Sequence, residues 1–155
     1  MQEERLKLGK GASFFVKSQL KRLRQENETW EADFFPIPCS DAEQGSLWWG
    51  IVLSHSHDKV LAQRTVEHRP TVNDLAHLLA EAMRRPLVDF SHRPKCLFLR
   101  ARPEWVELLP HLKQVGIQAV AQDNLPKWDK NFGDLQAQVE KVRGTTTARR
   151  KERHA

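Results

Sequence analysis

From Pro94 to Gln122 the chain runs through a short apolar segment, a Pro-initiated helical segment and a second short apolar segment. This succession constrains the fold more than any other stretch. KCLFLRA (residues 95–101) and IQAVAQ (117–122) are continuously apolar, the pattern of strands covered on both faces. Between them, PEWVELLPHLKQV begins with Pro103 in its first turn and turns Trp105, Leu108, Leu109 and Leu112 inward. It bends at Pro110 and ends at Gly116. Two strands joined by a helix lie parallel, linked by a right-handed crossover. The chain therefore has an α/β fold with helices against a sheet.

The flanking segments extend that sheet. WEADFFPIP (30–38) reads as a strand that ends at its prolines. Leu47 to Ser54 is strongly β-prone; His57 and Asp58 make a turn, and a strand returns from Lys59 as a hairpin. Neither face of the returning strand is purely apolar, which suits a sheet edge. In TVNDLAHLLAEAMRR, Thr71 and Asp74 form a capping-box pattern, and Val72, Leu75, Leu79, Ala82 and Met83 form the apolar stripe. Pro86 stops this helix. LPKWDKNFGDLQAQVEKV gives a last helix with Trp128, Phe132, Leu135 and Val139 on one stripe. The expected architecture is a mixed α/β sheet in the order βββ-α-β-α-β-α, with an extra basic helix ahead of it. Adjacent Trp48 and Trp49 should face opposite sides of the sheet, one in the core and one packed under a helix.

The formal charge of +5 is unevenly spread. Residues 1–25 carry seven basic and two acidic side chains, and residues 143–155 carry five against one, so the body at 26–142 is mildly acidic. Three regions follow: a basic N-terminal segment (1–25) with a short amphipathic helix, a single mixed domain (26–142), and a basic tail (143–155) expected to be disordered. In the first, Ser13 is the expected N-cap, and Val16, Leu20 and Leu23 share a helical stripe. Lys17, Lys21, Arg22 and Arg24, with Arg149, Arg150, Lys151 and Arg153 of the tail, are the candidate nucleic-acid contacts. A helix packed on the domain edge with a solvated basic face is the plainer expectation for Ser13–Arg24.

Several chemistries find no support. Gly9–Ser13 lacks the spacing of a phosphate-binding loop, and no G-x-S-x-G occurs. His55 and His57 form an H-x-H pair, but no second pair completes a zinc site. Cys96 reads as a core residue, and Cys39 has no local base to activate it. No apolar run nears the ~18–20 residues of a membrane span, and the start lacks the apolar core of a signal peptide. With two Cys, the expectation is a cytoplasmic chain with reduced thiols.

The element order resembles the ribonuclease H-like fold across residues 30–142. Trp30 and Asp33 are similar to the Trp-x-x-Asp opening of a transposase or integrase core. That resemblance implies two metal ions, Mg²⁺ by expectation, held between carboxylates to clamp attacking and leaving oxygens. Asp33 matches the first-strand acid, Glu81 the first-helix acid, and Asp129 or Asp134 a last-helix acid. Where the fourth strand should end in an aspartate, the chain has Arg100, Ala101 and Arg102. WWGIVLSH, PKCLFLR and GIQAVAQDNLP also resemble segments of an uncharacterised bacterial family, a domain of unknown function, over most of residues 46–140. That second resemblance implies a fold unit and brings no activity. The expected function is a non-catalytic binding or interaction module without cofactor or metal, whose partner is a protein or a nucleic acid held by the basic termini. A divergent Mg²⁺-dependent nuclease using Asp33, Glu81 and Asp134 is the alternative.

Overall fold

The computed structural model describes residues 15–37, 47–55, 59–134 and 137. In chain order they form α1 (Lys17–Lys21), β1 (Gln25–Ile37), β2 (Leu47–Ser54), β3 (Lys59–Val66), α2 (Val72–Arg84) and β4 (Arg93–Arg100). A 3-10 segment (Pro103–Leu108) leads into α3 (Leu109–Gln114) and then β5 (Gln118–Gln122). A last helix, α4, covers 126–134. The five strands make one sheet in the order β3-β2-β1-β4-β5. β2 is antiparallel to β1 and β3, whereas β4 is parallel to β1 and β5. This is the mixed sheet that the element order implied. Ser13, Cys39, His57, Asp58, Leu135, Val139 and the basic tail lie outside the described residues.

Alternation along β1 divides the interior into two layers. Trp30, Ala32 and Phe34 are fully buried in one core with Val52, Leu97, Leu99 and α2. Ile51, Leu53, Trp128 and Phe132 form a second core on the opposite face, beneath α4. Trp48 packs against the first core and Trp49 against the second, as adjacent strand residues must. α2 buries more than its predicted stripe, because Ala76, Leu78 and Ala80 are also fully buried. Its capping box is formed: the Asp74 N–H donates to Thr71 Oγ1 at 3.3 Å, and the Thr71 N–H donates to Asp74 Oδ2 at 2.8 Å.

Four sequence expectations are corrected. β1 begins at Gln25, ahead of Trp30, because its polar start pairs with β4 from Arg93 across a register shift. β5 is an edge strand with no fully buried residue, since the order of strands places it outermost. Only one side of β4 is fully sealed: Leu97 and Leu99 are buried, whereas Cys96 and Phe98 are half-buried. Pro110 bends no continuous helix. The chain is 3-10 up to Leu108, and Pro110 sits in the first turn of α3, where its missing N–H costs nothing.

Two glycines are required by geometry. A Cβ at Gly50 would lie 2.4 Å from the Phe34 ring, which occupies the space opposite it. Gly116, just past α3, has φ 86°, and a Cβ there would come within 2.9 Å of Arg93 Nη1.

Candidate functional site

The acids of β1 set the site. Glu31 and Asp33 point to the α4 face, and the side chains of both are fully buried. A buried carboxylate must be paired or neutralised. The register supplies the partner for Asp33. Ala32 pairs with Leu99, so the next pair along these parallel strands sets Asp33 beside Arg100 on the same face.

Arg100 Nε donates to Asp33 Oδ2 at 2.9 Å. Its Nη2 donates to Asp129 Oδ1 at 2.5 Å, and its Nη1 to the Asp123 carbonyl at 3.2 Å. The guanidinium lies 5.9 Å from the Phe35 ring centroid and 5.7 Å from that of Trp128. Arg102 completes the set around Asp33, with Nε donating to Oδ1 at 3.0 Å and Nη2 to Oδ2 at 3.2 Å. Burial works against the Arg100 charge. Hydrogen bonds and attraction from Asp129 and Asp33 outweigh that penalty and raise its pKa above the ordinary arginine value.

Glu31 joins the sheet to the start of α4. Its Oε1 accepts the backbone N–H of Trp128 at 2.9 Å, placing a carboxylate at the positive end of the helix. Its Oε2 meets His55 Nε2. The Trp128 indole N–H donates to the Ile51 carbonyl at 2.9 Å. The ring of Trp128 stacks on Phe132, with centroids 5.1 Å apart and planes 12° apart.

This geometry can hold a helix against a sheet through charge. It does not fit the Mg²⁺ that a ribonuclease H-like fold implies. A cation of the protein's own, the Arg100 guanidinium, bridges Asp33 and Asp129, and arginine donors occupy both oxygens of Asp33. Among the described residues, no group of three or more His, Cys, Asp or Glu side chains could hold a metal ion.

A family model described as a domain of unknown function (DUF6930) matches residues 17–136. The chain belongs to this family. No curated protein matches the chain. Among solved structures, the DUF6930 chain is similar to one described as the simian T-cell lymphotropic virus intasome in complex with PP2A regulatory subunit B56 gamma. The similarity has a TM-score of 0.58 at 13% identity and covers 91% of this chain but 45% of the other. The chain thus spans under half the length of that neighbour. At this identity the likeness shows a shared fold, in keeping with the ribonuclease H-like strand order.

Asp33 is brought together with Asp129, not with Glu81 or Asp134. Glu81 belongs to α2, which packs on the opposite face of the sheet, and it lies 4.0 Å from His77 of its own helix. Asp134 is exposed and nearly half a turn out of phase with Asp129 on α4. Lys17, Lys21, Arg22 and Arg24 lie around α1, ahead of the amino end of β1, whereas Arg149, Arg150, Lys151 and Arg153 are outside the described residues. His92 is not available as a surface ligand. It is buried, with Nε2 against Glu28 Oε2 and Nδ1 2.6 Å from the Phe90 carbonyl. Sequence reasoning passed over Glu31. Its available signal was an acid at i−2 from Asp33 in a strand, which places both carboxylates on one face. Among the described residues, no helix is long and apolar enough to cross a membrane.

Proposed function

We propose that this DUF6930 chain is a non-catalytic binding module on a ribonuclease H-like sheet. The observation that carries the reading is Arg100. It stands at the end of β4, where a two-metal enzyme needs a carboxylate, and ties the first-strand acid to the last-helix acid. A fixed guanidinium supplies the charge balance a metal would supply, but offers no open coordination position for water or phosphate. The resemblance to a bacterial family and the two cysteines support a bacterial, cytosolic setting for this module.

The test is a nuclease assay on single-stranded, duplex and RNA–DNA hybrid substrates with Mg²⁺ or Mn²⁺, together with Mn²⁺ titration. Neither cleavage nor stoichiometric Mn²⁺ binding is expected. Metal-dependent cleavage abolished by Asp33→Asn would overturn the reading.

A further inference from the structure

Hydrogen bonds between distant segments gather basic side chains at the amino ends of β1 and β4. The Arg93 N–H donates to the Arg24 carbonyl at 2.8 Å. Arg93 Nε donates to the Leu23 carbonyl at 3.0 Å, and its Nη1 to the Val115 carbonyl at 2.6 Å. Gln25 Nε2 donates to the Gly116 carbonyl at 2.6 Å, and Lys17 Nζ to Gln114 Oε1. These contacts bring α1, the start of β4 and the end of α3 together. They place Lys17, Lys21, Arg22, Arg24, Arg93 and Lys113 at one end of the domain, roughly 30 Å along β1 from Asp33.

Among the described residues, the charge there is offset by one ion pair. Glu26 pairs with Arg24 at 2.8 Å. The guanidinium of Arg93 is spent on two backbone carbonyls, so its charge adds to the local field. Lys21, Arg22 and Lys113 are exposed. The field is also felt by His111 on α3: burial first, and Lys17 second, push its pKa down, with Glu107 opposing.

We propose that this end binds the phosphodiester backbone of nucleic acid, with Lys21, Arg22 and Lys113 as phosphate contacts. The inference rests on the binding-module reading and names its ligand. Charges drawn from separate segments can engage several members of a phosphate row at once, each contact releasing counterions. An anionic membrane is the poorer fit. Phe15 and Leu20 are fully buried and Leu23 packs against the core, so α1 has no apolar face left to insert. The site lies partly on the folded body, at Lys113, and so does not depend on the basic tail.

Fluorescence anisotropy of the full chain with fluorescein-labelled 20-mers, duplex and single-stranded, at 50–200 mM salt tests this. Affinity should fall steeply with salt. Lys21→Glu/Arg22→Glu/Lys113→Glu should lose at least about tenfold in affinity at low salt and flatten the duplex salt slope by about 2–3, one contact each. Gln at the same positions should give a smaller loss in the same direction, with unchanged thermal melting of both variants. Replacing Arg149, Arg150, Lys151 and Arg153 with Gln should cost less than the Glu triple variant. The proposal is overturned by absence of binding at 50 mM salt, by a Glu variant that binds like the parent, or by loss confined to the tail variant. Preferential binding to phosphatidylserine vesicles, lost in the same Glu variant, would overturn it too. Metal-dependent cleavage of the probe would count against the Arg100 reading instead, so the two can fail separately.

Discussion

Trp30, Ala32 and Phe34 lie on one face of β1, and Glu31, Asp33 and Phe35 on the other. The first set meets α2 in an apolar layer that needs no directional partners, and burial of area alone seals it. The second set meets α4 across a layer whose charges must be matched one by one: Asp33 by Arg100 and Arg102, and Glu31 by the start of α4 and His55. One strand therefore carries two ways of docking a helix. The apolar way tolerates many arrangements of similar volume. A slip of a single residue would put both sets on the wrong faces, but only the ionic way also needs each donor set opposite its own acceptor.

The largest expected effect is on the apolar face. Trp30→Ala should destabilise by about 4 kcal/mol, through lost transfer energy and the cavity left behind. Chemical denaturation checks this, and a loss below about 1 kcal/mol would mean that the α2 layer is not the main support of the sheet.

On the ionic face, Arg100→Met should cost about 3 kcal/mol, since Asp33 stays buried with half its partners gone. Adding Asp33→Leu should recover most of that loss, because both buried charges then disappear together. A double-mutant cycle on denaturation midpoints reads the coupling. Additive costs would show instead that the aromatic stack of Trp128 and Phe132 holds α4 without the ions.

The smallest effect lies in the outer layer of the apolar face. The folded-state pKa of His111 is depressed, so its contribution to stability is present above its unfolded value of about 6.5 and is lost as pH falls through the folded value. Lys17→Met removes one of the causes of that depression and should move the His111 titration upward in a proton NMR experiment. An unmoved titration would leave burial as its only cause.

The apolar face was legible from its residues. The i, i+3, i+4 stripe of α2, its capping box and the existence of β4 and β5 as strands, though not their burial on both faces, all reflect local chemistry, and the order of elements then left few topologies open. The edge position of β5 and the early start of β1 were not legible, since each depends on which strand lies alongside. The ionic face was half legible. Arg100 and Arg102 stood out as replacements for an expected acid, but the choice of Asp129 over Asp134 needed the phase of α4, and the part played by Glu31 needed the helix N-terminus placed above it.

By itself, then, the sequence determined which segments become strands and helices and that a mixed sheet would result, because periodicity, capping and proline placement act within a few residues. Only the tertiary structure decided what the buried charges do. Asp33, Arg100 and Asp129 are 67 and 29 residues apart in successive steps. Nothing local links them; the parallel register of β1 with β4 and the docking of α4 create the bridge. The basic end has the same origin, for Lys21, Arg22 and Lys113 become neighbours only when Arg93 and Gln25 tie α1 to the end of α3.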